Sequence, residues 1–386
     1  MTNKKFRDLS IEERINYIKH FYSLSEDKIS ILRGHNSLTE EMLQQIGENP
    51  VSTYESPLRF SGKISVNGKE YYIPMVTEEA SVIAGLSYGA TICGDIEAKV
   101  LESYCIGQVQ FIDIGDYQKL IRYVKYNEKK IIEDINKFHS HIEVYKFEIK
   151  YWKLSQYGNS VVVDIYFDPK NVMGAAVASK IADEFVKIVS SDYPDKLSYQ
   201  KGMFSNNSGR LTIANVKIPK ERLTRESTTD KFTGEDVKRR IVYLSEFANI
   251  DVNRSATNNK GIMNGIEAFA LALAQDTRAM FTANDNRQWS KWIADDNYLY
   301  GELKMKIPCG TIGGAIGKYP KAKILLEDII NPKDANELAQ IMASIGLVQN
   351  FAALSMNSTI GVTEGHDIFK QRLEQAAKCC PMKTNS

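Results

Sequence analysis

The spacing of apolar positions changes several times along this chain, and each change marks an element. Ile11, Ile15, Ile18 and Phe21 recur at helical spacing behind Ser10, with Glu12 and Glu13 in the first turn, which predicts an N-terminal helix. From Phe60 to Pro74 the pattern alternates about Asn67-Gly68, so Ile64-Ser65-Val66 and Tyr71-Tyr72-Ile73 read as the arms of a hairpin. A helix is then expected from Ser81 through Ile83-Ala84 to Ile92.

Between residues 106 and 218 the texture alters. Val109–Ile112, Ile142–Tyr145, Val161–Phe167 and Leu211–Val216 read as strands, with helical patterns at Leu120–Phe138 and Val177–Val189 between them. After Thr233 helical spacing returns, at Val237–Ala248, Ile262–Ala274, Ala335–Val348 and Asp367–Cys379. This order predicts an α+β fold. A mainly helical large domain, 1–105 and 219–365, would carry an inserted small unit, 106–218, built of an antiparallel sheet plus helices. A short helix, 366–386, would end the chain.

Composition narrows the picture little. The 386 residues are 43% hydrophobic and 25% charged, with a net charge of +1, an ordinary globular balance. Near-neutrality argues against nucleic acid as a partner, which calls for a strongly basic face. Lys129-Lys130 and Lys238-Arg239-Arg240 have acidic neighbours and read as solvated surface. Met1–Leu9 has no apolar core of a secretory signal, and the apolar run Ala268–Ala274 is too short to cross a bilayer, so no membrane partner is expected. Five scattered cysteines, Cys93, Cys105, Cys309, Cys379 and Cys380, fit a reducing cytoplasm and lack zinc-ligand spacing, so no metal is expected.

Four places carry chemistry beyond what a fold needs. Pro74-Met75-Val76-Thr77-Glu78-Glu79-Ala80-Ser81 sets two carboxylates at a strand-to-helix junction, where a capped helix is the plain reading. Arg254-Ser255-Ala256-Thr257-Asn258-Asn259-Lys260-Gly261-Ile262-Met263-Asn264-Gly265 reads as a polar entry ahead of an apolar helix, suited to an anion or a carbonyl. Gln275-Asp276 closes that helix, with an acid opposing the macrodipole. Gly365-His366-Asp367 places one histidine near a helix start, which would favour its neutral form. Together they supply a Glu, a Lys, an Asp and a His, a set able to polarise a carbonyl and move protons.

These stretches resemble the class II, bacterial-type, 3-hydroxy-3-methylglutaryl-coenzyme A reductases, from Phe6-Arg7-Asp8-Leu9 to Gly365-His366. Arg254–Gly265 is nearly the family pattern, with Asn258 where the family has His, and Pro74–Ser81 is similar to its catalytic-glutamate segment, with Ala80 for Pro. Gly346–Gly365, including Gln349-Asn350-Phe351-Ala352-Ala353, is similar to the segment that leads to the catalytic histidine. The resemblance implies a reduction of that thioester to mevalonate by two reduced nicotinamides. Glu79 would handle the proton beside the carbonyl, Lys260 would stabilise the oxyanion, Asp276 would pair with Lys260, and His366 would protonate the coenzyme A thiolate. Arg254, Asn264 and Ser81 would hold the acyl part and Arg7 a coenzyme A phosphate, with His141, Asn171, Met173, Gly174 and Asn206 toward the dinucleotide. A straight helix over 261–275 would set Lys260 and Asp276 ~24 Å apart at ~1.5 Å per residue. They would then meet across a subunit boundary, as the family's interfacial sites imply for a homodimer or larger, unless the chain bends at Gly261 or Gly265.

The chain departs from the family mainly in 106–218, read by resemblance as the nicotinamide-binding unit. Asn171-Val172-Met173-Gly174-Ala175-Ala176 stands for Asp-Ala-Met-Gly-Ala-Asn, and Ile135-Asn136-Lys137-Phe138 for a segment with a triple glycine. His141 stands where NAD-preferring relatives have an Asp that would repel a ribose 2′-phosphate, which favours NADP(H) over NAD(H). Only twenty residues follow His366, which implies a reduced C-terminal flap. Rival readings are a coenzyme A thioester-binding relative with weakened nicotinamide binding, and a reductase of a related branched acyl-coenzyme A.

Overall fold

A computed structural model describes residues 6–35, 38–139, 141–154, 156, 158–226, 231–285 and 287–361. Ser10 and Glu13 close a capping box on α1 (Ile11–Phe21), as their spacing predicts. Two short helices follow, α2 (Glu26–Leu32) and α3 (Glu40–Ile46), which the apolar spacing did not reveal. The expected hairpin forms from β1 (Leu58–Val66) and β2 (Lys69–Val76), its turn residues Asn67 and Gly68 at φ 51° and 78°. Helix α4 (Ala80–Cys93) comes next.

The strands of the central part are much longer than their alternating segments suggest. β3 spans Asp95–Ile112 and β7 spans Met203–Pro219, and they pair antiparallel along most of their length. Between them lie α5 (Tyr117–Phe138), β4 (Glu143–Leu154), β5 (Gly158–Asp168), α6 (Ala175–Asp192) and the short β6 (Ser198–Tyr199). A two-stranded ribbon, β8 (Arg225–Glu226) and β9 (Lys231–Phe232), leads into α7 (Gly234–Ile250), α8 (Val252–Ala272) and α9 (Thr277–Thr282). The remaining elements are β10 (Ser290–Ala294), β11 (Tyr298–Ile307), α10 (Pro320–Ile324) and α11 (Ala335–Asn357).

One sheet of order β10-β11-β7-β3-β1-β2, with β5 and then β4 extending from β3, runs through the molecule. Within 106–218 the pairings β3–β5, β4–β5 and β3–β7 are all antiparallel, as expected, while the sheet as a whole is mixed because β1 lies parallel to β3 at Ser65–Asp95 and Val66–Ile96. One expectation is corrected: the part expected to be mainly helical also has strands at its centre, where β10 and β11, unforeseen, pair with each other and β11 with β7. Their exposed lysines and acids broke the apolar pattern, whereas Trp292, Leu299, Leu303 and Met305 face inward.

Two clusters of buried side chains hang on these strands. The larger gathers Met75, Leu86, Ile262, Phe269, Trp292 and Ile345 around α11. The smaller joins Val109, Phe111, Val163, Ile165, Ile181 and Phe185 beneath α5 and α6. β3 passes from Ala98 in the first to Cys105 in the second without a break. α11 is 23 residues long and apolar enough by length and composition to cross a bilayer, but 89% of that window is buried inside the protein. Its faces are spent on α8, α4 and the sheet, where Gly89 and Gly265 let the helices approach closely; a Cβ at Gly89 would lie 2.7 Å from the Val348 carbonyl oxygen.

Candidate active site

The segment Arg254–Gly265 is not an entry loop. α8 begins ten residues before the predicted start, capped by Asp251, whose carboxylate accepts from the Arg254 N–H at 2.7 Å. The polar residues hid the helix because their apolar face is interrupted by buried asparagines. Asn258 donates to Ser290 Oγ at 3.0 Å and accepts from Asn350 at 2.8 Å, and Asn350 in turn accepts from the Trp292 indole at 2.7 Å. Asn259 donates to the Arg287 carbonyl and accepts from Trp289 N–H. These two amides lock α8 to β10 and α11. Arg254, Lys260 and Asn264 instead share roughly a third of the circumference at ~100° per residue, away from the core.

Glu79 reaches that face from the other side. It is the N-cap residue of α4 yet makes no side-chain capping bond, so the junction is not the plain capped helix. Its Oε1 accepts from Ser81 Oγ at 2.5 Å and its N–H donates to Thr77 Oγ1 at 3.2 Å. Arg59 donates to the Thr77 carbonyl at 2.8 Å, fixing the turn. Glu79 Oε2 lies 3.9 Å from Lys260 Nζ, with the lysine 65% and the glutamate 35% exposed. A third helix enters the same seam. Gln349 of α11 sits between Gly85 and Gly265, and its Oε1 is buried without a hydrogen-bond partner. Such an orphan acceptor is costly unless a ligand satisfies it.

A groove of about 1740 Å³ opens beside this pair. Ala80, Ile83 and Ser87 of α4 line it next to Glu79, and Arg7, Arg33 and Lys321 line it together with Asp8 and Glu12, the latter paired with Arg33. Arg7 is exposed and pairs only loosely with Asp8, at 3.6 Å.

Asp276 lies elsewhere. α8 ends at Ala272, Ala274 adopts a left-handed φ of 51°, and Asp276 becomes the N-cap of α9. The acid therefore supports a helix dipole rather than opposing one, correcting the expectation that it closes the apolar helix. It pairs with Arg278 at 3.2 Å. Burial pushes its pKa up, but the Arg278 guanidinium and the Ala279 N–H outweigh this and hold it below the ordinary value. α8 is uninterrupted through Gly261 and Gly265, so no bend brings Asp276 to Lys260 within one chain. His366 lies outside the described residues.

Of the residues assigned to the dinucleotide, Asn171, Met173 and Gly174 share one loop, while His141 and Asn206 stand on other elements. Gly174, at φ 111°, begins α6 with no side-chain cap, so the first N–H groups of an 18-residue helix have no side-chain acceptor at the N-cap. Asn171 turns its side-chain oxygen to the Ala335 N–H at 3.1 Å, and its carbonyl accepts from Thr311 and Ile312. The Met173 carbonyl accepts from the Cys105 thiol at 3.3 Å; burial pushes that thiol up to about 12, so it stays a donor. His141 is exposed in the turn before β4, and Asn206 is exposed on β7 at a bulge opposite Cys105. The loop Gly310-Thr311-Ile312-Gly313-Gly314 packs against Asn171–Met173 and was missed; three glycines in five residues, two at positive φ, were its signal.

Comparison with known proteins identifies the chain's relatives. The profile of the family described as hydroxymethylglutaryl-coenzyme A reductase matches residues 10–371. A 3-hydroxy-3-methylglutaryl-coenzyme A reductase of Archaeoglobus fulgidus is 29% identical, with 94% of this chain and 84% of that protein aligned. A probable reductase of the same name from Borreliella burgdorferi is 27% identical over the same shares. Among solved structures, a Streptococcus pneumoniae class II reductase bound to NADPH in open conformations superposes with a TM-score of 0.81 at 29% identity, covering 92% of this chain and 99% of that one.

Proposed function

The chain belongs to the hydroxymethylglutaryl-coenzyme A reductase family, in its class II branch, and from that premise we propose which of its residues carry the reaction. It is an oxidoreductase that converts 3-hydroxy-3-methylglutaryl-coenzyme A to mevalonate and coenzyme A with two reduced nicotinamides.

The observation that carries the assignment is the approach of Lys260 Nζ to Glu79 Oε2, 3.9 Å, next to a groove whose lining includes Ala80, the neighbour of Glu79. When bound, a reduced nicotinamide supplies hydride to the acyl carbon. Lys260 then stabilises the negative charge that grows on the acyl oxygen, a preorganised donor suited to both reduction steps. Glu79, steadied by Ser81, delivers the proton to that oxygen. Arg254 holds the terminal carboxylate of the substrate, and Asn264 and the unpaired Gln349 oxygen hold its polar groups. The pantetheine arm follows the apolar α4 wall of the groove, with Arg7 at a phosphate. His366 is assigned on sequence grounds to protonate the departing thiolate.

The smaller core, with the loop Asn171–Gly174 and the uncapped start of α6, suits a dinucleotide: helix N-termini and glycine loops accept phosphates. NADP(H) is preferred over NAD(H), because His141 removes the acid that would repel a 2′-phosphate. Asp276 reaches Lys260 of a second protomer, so the working form is a homodimer or larger. Free buried Cys93, Cys105 and Cys309 suit a reducing cytoplasm. Nicotinamide absorbance followed with the authentic thioester, in both directions and with both cofactors, tests these proposals. Turnover is expected, faster with NADPH. Thioester binding without turnover would instead mark a binding relative, and a preference for NADH would remove the cofactor assignment.

A further inference from the structure

Arg210 of β7 is fully buried, and its guanidinium meets only neutral oxygens. Nε donates to Asn336 Oδ1 at 3.1 Å and Nη1 to the Cys309 carbonyl at 2.5 Å. Nη2 donates to the Lys170 carbonyl and, at 3.4 Å, to the Val172 carbonyl. No carboxylate lies within ion-pair distance of it among the described residues. A buried cation without a counter-ion is expensive to keep, and an apolar side chain of similar volume would serve the core at least as well. Its retention calls for a task that donors alone can do.

The three segments it joins give that task. Lys170 and Val172 flank Asn171 in the loop that leads to the start of α6. Cys309 opens the glycine loop packed on Met173. Asn336 stands in the first turn of α11, the helix that carries Gln349 into the Glu79–Lys260 seam. In a trans peptide the carbonyl and the next N–H point oppositely. Drawing the Lys170 and Val172 carbonyls inward therefore turns the N–H groups of Asn171 and Met173 away from the guanidinium.

We propose that Arg210 is a positioning residue for the dinucleotide site: it sets the Lys170–Gly174 loop in its binding conformation and couples that loop to α11, without touching cofactor or substrate. This rests on the reading of Asn171–Gly174 as the dinucleotide loop. Loops ordered before binding spare the ligand that cost, so losing the brace weakens nicotinamide binding selectively.

The test is steady-state kinetics and thermal melting of the full-length enzyme with Arg210→Met, Arg210→Lys and Asn336→Ala. In Arg210→Met the KM for the nicotinamide rises about ten- to a hundredfold, while the KM for the thioester stays within about twofold. Arg210→Lys, with one ammonium for several acceptors, recovers part of the loss. A merely structural role would lower the melting temperature and the active fraction with both KM values unmoved. Should Arg210→Met fail to fold, the lysine and Asn336 variants carry the same comparison. The inference is overturned if folded variants keep the nicotinamide KM within about twofold of wild type, or raise both KM values alike. Ala176→Glu separates the two readings, because a carboxylate in the first turn of α6 suits the helix but repels a phosphate. If it leaves the nicotinamide KM unchanged, the loop assignment falls and this inference with it; if it raises that KM while the Arg210 variants do not, only the inference falls.

Discussion

Lys260 and Glu79 face each other at 3.9 Å from two different helices, 181 positions apart in sequence, and neither side chain is spent on the fold. An exposed ion pair of this length contributes little to stability, about 0–1 kcal/mol. Glu79 forgoes the capping bond its position offers. Both groups are therefore held in readiness for something other than each other.

Lys260→Ala is expected to lower kcat by about a hundredfold or more, the usual cost of removing a donor aimed at a developing oxyanion. The melting temperature should move little, since the ammonium is mostly exposed. Nicotinamide oxidation rates beside a thermal melt check this, and undiminished turnover would remove Lys260 from the chemistry.

Glu79→Gln keeps the shape and the contact with Ser81 while removing a transferable proton. We expect kcat to fall by about 10²–10⁴-fold, with thioester binding retained. Binding titrated calorimetrically in the variant separates this from a collapsed site; loss of binding and turnover together would argue that Glu79 shapes the pocket instead.

Elements with an uninterrupted apolar face were legible from residues alone: α1, α4, α5, α6 and α7 and the β1–β2 hairpin fall close to their predicted spans. The first ten residues of α8 were not, because Asn258 and Asn259 occupy its buried side and are satisfied only by partners on β10 and α11, distant in sequence. β3 outran its predicted core because Glu97 and Lys99 alternate with inward-facing Ile96 and Ala98, and β7 because its first half, Ser205–Ser208, is a run of small polar residues with no apolar alternation. The assignment of roles to Glu79 and Lys260 came from resemblance to a family; spacing alone offered a cap and a loop. A single Arg in a strand has no local signature, which hides Arg210, and Gln349 stands out only as part of the Gln349–Ala353 match to the family segment, with no sign of its own role.

Glu337, in the first turn of α11, ties the stability of the fold to pH. Its carboxylate accepts from the Tyr71 hydroxyl at 2.8 Å, from Lys69 at 3.3 Å and from the Lys333 N–H. Burial pushes its pKa up, but these donors prevail and hold it below the ordinary carboxylate value. A depressed folded pKa means the stabilisation is present above the unfolded value of about 4.3 and fades as pH falls through the folded one. Glu337→Gln should lower the melting temperature by about 2 °C or more at pH 7, and the gap from wild type should narrow as pH falls below the ordinary carboxylate range. A gap of constant size across that range would show that charge on Glu337 is irrelevant.

Asp276 poses the sharpest question, because its position can be tested without a further structure. Within one chain it is tied to Arg278 and caps α9, while α8 runs unbroken for twelve residues beyond Lys260, ~18 Å at ~1.5 Å per residue. If an Asp276 is to tune Lys260, it comes from a neighbouring protomer, and a two-fold interface then builds two equivalent sites from mixed parts. Lys260→Ala and Asp276→Ala homodimers should each be nearly inactive. Unfolded together and refolded as an equal mixture, half of the dimers become heterodimers, each with one site that holds both intact residues. Activity should recover to about a quarter of wild type. Recovery tracked against the heterodimer fraction, with differently tagged chains, reads this directly. A mixture that stays as inactive as its parents would place both residues in one chain's site, against the separation seen here, or show Asp276 to be only the cap of α9.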